Sequence, residues 1–271
     1  MKPIILFRSD LDSEDEMAVA TQHIALTSSR TRVPSNSLVV GRYSVLPWYQ
    51  ELERDLAVNG SRLVNTYAEH SWIADVLNWA SPGSALDGLT PRAWSTWGNL
   101  PEGSYVLKGR TNSRKHSWRS HMFARAVADI PVVAGRLFDD TMIKEQGVVV
   151  RPYVPLRKLG EGLNGLPISN EFRCFFYVVD VDRGNVQLLS RGFYWASHPE
   201  CASQSEWTEE AERLMWDAAY KVSEHATFFV LDLAQAEDGH WIVIEVNDGQ
   251  MSGISMCEPH GLYKELSQVL Q

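Results

Sequence analysis

Two apolar runs near the C-terminal end carry the clearest pattern in the chain. Phe228–Leu233 and Trp241–Val246 are apolar and β-branched, and Gln235–Gly239 between them holds an Asp-Gly pair suited to a tight reversal. Neither run alternates for long between apolar and polar residues, which predicts central strands covered on both faces. Earlier in the chain, strand-like runs at Ile4–Phe7, Leu38–Gly41 and Arg62–Val64 alternate with helical patterns at Met17–Leu26, Pro47–Val58 and His70–Trp79. Trp48, Leu52 and Leu56 recur at four-residue spacing in the second of these helices. Such alternation predicts a small α/β layer over the first ninety residues. Ser81–Thr90, rich in Gly, Ser and Pro, reads as a linker.

From Pro91 the rhythm changes. A strand is expected at Ser104–Lys108, a helix at Arg119–Ala128, and short strands at Val132–Ala134, Thr141–Ile143 and Val148–Val150. Arg151–Leu156 contains two prolines and so is not a central strand. Leu159–Ser169 holds three glycines and a proline and reads as a mobile loop. Phe172–Val179 and Val186–Ser190 form a strand pair through Asp182–Asn185. Glu206–His225 is the longest helix, and His260–Val269 closes the chain.

Composition narrows the classes. With 271 residues and 44% hydrophobic content the chain can bury a sizeable core as one large or two modest domains. Its formal charge of −9 weighs against nucleic acid as a partner. Cys174, Cys201 and Cys257 are widely spaced and have neither a disulfide framework nor zinc-site spacing. MKPIILFRSD is too short for a signal peptide, and no run of eighteen apolar residues follows, so a soluble, cytoplasmic protein without membrane contact is expected. There is no G-x-S-x-G elbow, P-loop or protein-kinase loop, and His116, His198, His240 and His260 lack partners at catalytic or metal spacing.

The polar interruptions carry the chemistry. Glu245 sits between Ile244 and Val246, inside the strand run, and shares a face with Asn247 by the i, i+2 rule. Asp232 approaches from the neighbouring strand if the two pair as a hairpin. Two carboxylates and an amide oxygen make a hard-oxygen site suited to Mg²⁺. Lys108 ends a strand at the mouth of Gly109–Trp118, which adds Arg110, Arg114 and Lys115 for phosphate contact. Glu171 and Arg173 share a strand face. They read either as a surface ion pair or as Arg173 meeting a transferred phosphoryl group with Glu171 orienting it. Arg191 follows a strand toward the same cleft, and Tyr153 with Val149–Val150 supplies an adenine wall or core packing.

Taken in order, Lys108, the basic glycine-containing loop, Arg151, the strand NEFRCFF and the terminal IEVNDGQMSG resemble the ATP-grasp superfamily, in its compact bacterial and phage form with an arginine-rich nucleotide site. The resemblance implies an α+β fold: a small N-terminal α/β domain over 1–90, then subdomains 91–150 and 151–271 enclosing an ATP cleft. It implies ATP and Mg²⁺ as cofactors. Lys108, Lys144, Val150, Arg151, Tyr153 and Glu171 would hold the nucleotide, with Asp232, Glu245 and Asn247 on the metal and Lys108, Arg173 and Arg191 in catalysis. Two positions depart from the family pattern: Pro152 stands where a hinge carboxylate is common, and the second nucleotide lysine is best offered by Lys144. The activity implied is an ATP-dependent ligase acting on a small-molecule or peptide carboxylate and an amine. The alternatives are a small-molecule kinase and an ATP-binding assembly factor. Gly109–Trp118 and Leu159–Ser169 are the expected lids.

Overall fold

The computed structural model describes residues 1–8, 14–42, 48–113, 117–180 and 184–271. Pro47, Arg114, Lys115, His116 and Asp182, all named above, lie outside the described residues.

The N-terminal α/β layer forms as expected. Strands β1 (Lys2–Phe7), β2 (Ala25–Thr27), β3 (Ser37–Arg42) and β4 (Arg62–Leu63) pair in parallel in the order β2-β1-β3-β4. Helices α1 (Glu14–Ala20) and α2 (Tyr49–Val58) lie between them in the chain. Alternation along β1 sends Ile4 and Leu6 to a core with α2, and Ile5 and Phe7 to another with the last helix, α8 (Pro259–Val269). The expected helix over Met17–Leu26 is shorter, because the chain leaves α1 at Ala20 and enters β2 at Ala25. His70–Trp79 is two helices, α3 (Tyr67–Ala74) and α4 (Val76–Ala80). The break is at Asp75, whose carboxylate accepts from Leu77 N at 3.1 Å and caps α4.

Beyond the linker, β5 (Tyr105–Gly109) is flanked by β6 (Phe123–Ala124) and β7 (Val148–Pro152) in an antiparallel sheet. The strands expected at Val132–Ala134 and Thr141–Ile143 are instead helices α5 (Ile130–Leu137) and α6 (Thr141–Gln146). Ile130, Val133, Ala134 and Leu137 are all buried and recur at helical spacing, so packing on the sheet overrides local β preference. Asp140 caps α6 by accepting from Met142 N and Ile143 N at 2.9 and 3.2 Å. The helix expected at Arg119–Ala128 reduces to one wide turn over Trp118–Met122 that leads into β6. Leu159–Ser169 is a two-stranded ribbon of β8 (Lys158–Glu161) and β9 (Pro167–Ser169), turned at Gly165 with φ 76°.

The largest sheet has the order β11-β10-β12-β13, from β10 (Glu171–Asp180), β11 (Asn185–Phe193), β12 (Phe228–Gln235) and β13 (Trp241–Asp248), all antiparallel. Helix α7 (Glu209–Ser223) covers one face, burying Ala211, Met215, Ala218 and Val222 against Cys174, Phe176, Phe229 and Leu231. Ile73, Val76 and Trp79 of α3 and α4 join that same core, so it spans the linker between the N-terminal layer and the rest. Each large side chain so enclosed contributes ~1.5–3 kcal/mol.

Candidate active site

The opposite face of the large sheet carries the polar residues. Arg173 pairs across to Asp232, and Asp232 across to Glu245, so the three sit side by side in one row. A bulge between Asp232 and Leu233 fixes this alignment. Arg173 grips Asp232 with both forks, Nε and Nη2 each donating at 2.8 Å, and its Nη1 donates to Gly253 O at 2.7 Å. Its guanidinium stacks on the Tyr194 ring at 4.8 Å. Burial disfavours the charge on Arg173, but Asp232 outweighs it and holds the pKa above the usual arginine value. Asn247 Nδ2 donates to Asp232 at 3.1 Å, which leaves its carbonyl oxygen without a partner among the described residues. Lys108 at the end of β5 reaches across the cleft, and its ammonium donates to Glu245 Oε1.

Two cavities meet at Lys108 and Glu245. The first is a largely apolar slot of about 170 Å³ between the two antiparallel sheets, walled by Val106, Met122, Tyr153, Ile242 and Ile244, with Arg151 and Glu171 on its lining. Arg151 is a buried strap. It donates to Pro91 O at 3.1 Å, Ile244 O at 2.9 Å and Thr90 Oγ1 at 2.6 Å, so it ties the linker to β13. Burial lowers its pKa to about 10, opposed by Glu245, and it stays cationic at neutral pH. Glu171 is buried and accepts from Ser169 Oγ at 3.1 Å. The second cavity, about 580 Å³, runs from Arg173, Glu245 and Asn247 to Tyr67, His70 and Trp79 of the N-terminal helices.

Three of the expected site residues are not brought here. Arg191 pairs in register with Cys174 and lies on the α7 face, where it bonds Glu212 at 2.7 Å and stacks on Trp207 at 4.2 Å. Val150 faces the outer core under α5, because strand alternation gives the inward positions to Val149 and Arg151, and Trp94 takes its backbone groups. Lys144 is exposed on α6 and lines neither cavity. Arg110 of the basic loop is held by Asp75. Cys174 and Cys257 are buried, and burial pushes both thiols up, Cys257 to about 12, as expected of core residues.

The sequence reading missed a buried pair behind this row. Asp248, the residue after Asn247, has one oxygen 3.0 Å from His70 Nδ1, and its other accepts from Asn65 Nδ2 and Gln250 N at 2.8 Å each. The carboxylate directly following the Glu245-x-Asn247 pattern was its only sequence signal. The segment 249–257 that follows is held by contacts on both sides. Gly41 N donates to Gln250 Oε1 at 3.1 Å, and Gly192 lets the main chain of Met256–Cys257 pass where an added Cβ would lie 2.3 Å from backbone atoms.

The donor set suits a magnesium ion in kind: Glu245 and the Asn247 amide oxygen stand on the cavity lining, while both oxygens of the buried Asp232 are taken up by Arg173 and would have to be shared with the metal. The antiparallel sheets facing across this cleft, behind a small parallel α/β layer, make an α+β fold of the ATP-grasp kind. Residues 96–266 match the model of the ATP-grasp domain, R2K clade family 3, and the chain belongs to that family. No curated protein sequence matches it significantly. Among solved structures it is similar to D-cycloserine synthetase DcsG, with TM-score 0.61 and 13% identity over 99% of this chain and 100% of that one. It is also similar to D-alanyl-alanine synthetase A from Vibrio cholerae O1 biovar eltor, with TM-score 0.55 and 12% identity over 99% and 97%. A third is the ATP-grasp ligase PsnB with a phosphomimetic variant of minimal precursor, Mg and ADP, with TM-score 0.55 and 12% identity over 100% and 99%. At these identities the likeness is one of fold.

Proposed function

We propose that the chain is an ATP-dependent ligase that joins a carboxylate to an amine through an acyl phosphate, releasing ADP and phosphate. The observation that carries this reading is the meeting of two cavities at one charged row: Lys108 and Glu245 line both the apolar slot and the larger chamber, and Arg173 and Asn247 line the chamber, with Asp232 buried beneath them. A nucleotide base suits the slot, walled by Tyr153 with Arg151 and Glu171 at hand, and the acceptors suit the chamber. The similar structures, a D-cycloserine synthetase, a D-alanyl-alanine synthetase and an ATP-grasp ligase, support the same class.

Asp232, Glu245 and Asn247 would hold magnesium, which when bound offsets charge on the nucleotide phosphates. Lys108 offers a point charge to the same phosphates. Arg173 offers a planar fork, suited to the oxygens of the transferred phosphoryl group and the acyl phosphate that follows. A substrate carboxylate oxygen attacks the γ-phosphorus, ADP leaves, and the amine then displaces phosphate from the carbonyl carbon. The jaws, 91–150 and 151–271, exclude water from that acyl phosphate, with β8–β9 as a lid.

Incubation with ATP, Mg²⁺ and pooled carboxylates and amines tests the class, with ADP, AMP and phosphate assayed and products sought by mass. A condensed product with ADP and phosphate is expected. AMP formation would reject the acyl-phosphate route, and a stable phosphorylated product would make the protein a kinase. Tight ATP binding without turnover, together with recovery of a specific protein partner, would favour an assembly factor.

A further inference from the structure

His70 lies on α3 and lines the second cavity but not the slot, and the proposed ligase chemistry gives Lys108, Arg173 and the oxygen trio no proton to accept. Its surroundings fix the imidazole from two sides. Asp248 of β13 bonds Nδ1 at 3.0 Å and is itself almost fully buried, held by Asn65 and the Gln250 backbone. The Tyr49 ring of α2 stacks on the imidazole at 4.7 Å and 26°. Burial pushes the Tyr49 hydroxyl above its ordinary pKa. That hydroxyl bonds Asn65 O and Gln250 Nε2 at 2.8 and 2.7 Å, so it is a neutral part of the same frame. Nε2 of His70 has no hydrogen-bond partner among the described residues, and the ring lines the cavity.

A carboxylate on Nδ1 selects the tautomer with its proton there, which leaves a lone pair on Nε2. Resting on the ligase reading above, we propose that His70 is the general base for the amine nucleophile in the second cavity and that Asp248 is its positioning residue. The balance is complete within the groups named. The amine nitrogen bonds to the carbonyl carbon, the bond from that carbon to the phosphate oxygen breaks, phosphate leaves with the electron pair, and the N–H proton passes to Nε2. A buried His–Asp pair that merely pins α3 to β13 would show the same distances, so the test must separate base from pin.

The variant His70→Asn does so, because its amide N–H can take the place of Nδ1–H toward Asp248 while Nε2 is deleted. Two measurements on the full chain apply. In long-range ¹H–¹⁵N spectra at about pH 8, the ring signal that vanishes in His70→Asn is expected to show protonated Nδ1 and bare Nε2. An Nε2–H or doubly protonated ring overturns the proposal. With ATP, Mg²⁺ and the standard amino acids as substrates, isotope exchange within ATP reads acyl-phosphate formation without amine capture. His70→Asn is expected to keep this exchange and to lose condensed product by about 100-fold or more. Hydroxylamine, unprotonated at neutral pH, is expected to restore capture. Equal loss of exchange and capture, capture at the parent rate, or no rescue by hydroxylamine overturns the base. Absence of exchange in the parent protein overturns the ligase reading itself, and the tautomer result tells the two failures apart.

Discussion

Replacing Arg173 with methionine tests whether the charged row is as rigid as its contacts imply. The substitution keeps an unbranched apolar stem of similar reach but deletes both bonds to Asp232 and the one to Gly253 O. Asp232 is fully buried and would retain only the Asn247 amide at 3.1 Å. Stranding one partner of a buried pair costs roughly 3–5 kcal/mol, and the cleft beside Arg173 argues for the lower end. For a chain of this size roughly 2–4 °C of Tm accompanies each kcal/mol, so a fall on the order of 10 °C is expected in a thermal melt without nucleotide. The double variant Arg173→Met with Asp232→Leu, which removes both charges, is expected to recover most of that loss. A single variant melting within about 2 °C of the parent would refute the reasoning, because it would mean that Asp232 finds water or another donor at little cost.

Other expectations follow from the same geometry. Glu245→Ala should weaken magnesium-dependent binding of a nonhydrolysable ATP analogue by at least roughly tenfold, about 1.4 kcal/mol in calorimetry; unchanged binding would remove Glu245 from the metal site. Arg191→Ala should leave that binding intact and cost no more than about 1 kcal/mol of stability, since its half-exposed pair with Glu212 lies across the sheet. Lys144→Ala should be equally silent in the same titration, and a lost nucleotide affinity would place Lys144 in the cleft after all. Gly192→Ala should lower the melting temperature by an amount matching about 1–3 kcal/mol, because the obstructing atoms are the backbone of Met256–Cys257 and not a movable side chain.

Local order explains what could be read from the chain alone. The hairpin from Phe228 to Asp248 was legible because both strands and their turn are adjacent in sequence, and Glu245 inside an apolar run stands out as a candidate position without further context. The helices α5 and α6 were not. Val132–Ala134 taken alone looks β-branched and strand-like, and the helical period emerges only when Ile130 and Leu137 are counted with Val133. The misplacement of Arg191 is a matter of pairing. Arg191 opposes Cys174, which belongs to the α7 face, and neither strand read alone shows which residue of the other will stand across from it. His70 and Asp248 lie 178 positions apart, on elements joined only by tertiary packing, so no spacing rule connects them.

The single bulge in the β12–β13 pairing decides the chemistry of the whole row. Leu233 opposes Val243 and Asp232 opposes Glu245, so one extra residue, Ile244, is accommodated on β13 between them. With regular pairing Asp232 would face Ile244, and Glu245 would turn away from Asp232 and Lys108, because side chains alternate with a period of two. The bulge therefore aligns Glu245 with Asp232, and it keeps Ile244 available to the apolar slot through its side chain and to Arg151 through its carbonyl. Asn247 then falls two positions on, beside Asp232, and Asp248 one further, toward His70. The residues that follow bind in turn to β3 through Gln250, to Arg42 through Gly249 O and to Arg173 through Gly253 O. One strand and its exit loop thus supply the slot wall, two of the proposed metal donors, the orienter of the proposed base and a brace for Arg173. A deletion within 241–244 would shift all of these together, whereas the same change in β11 would leave the row in place.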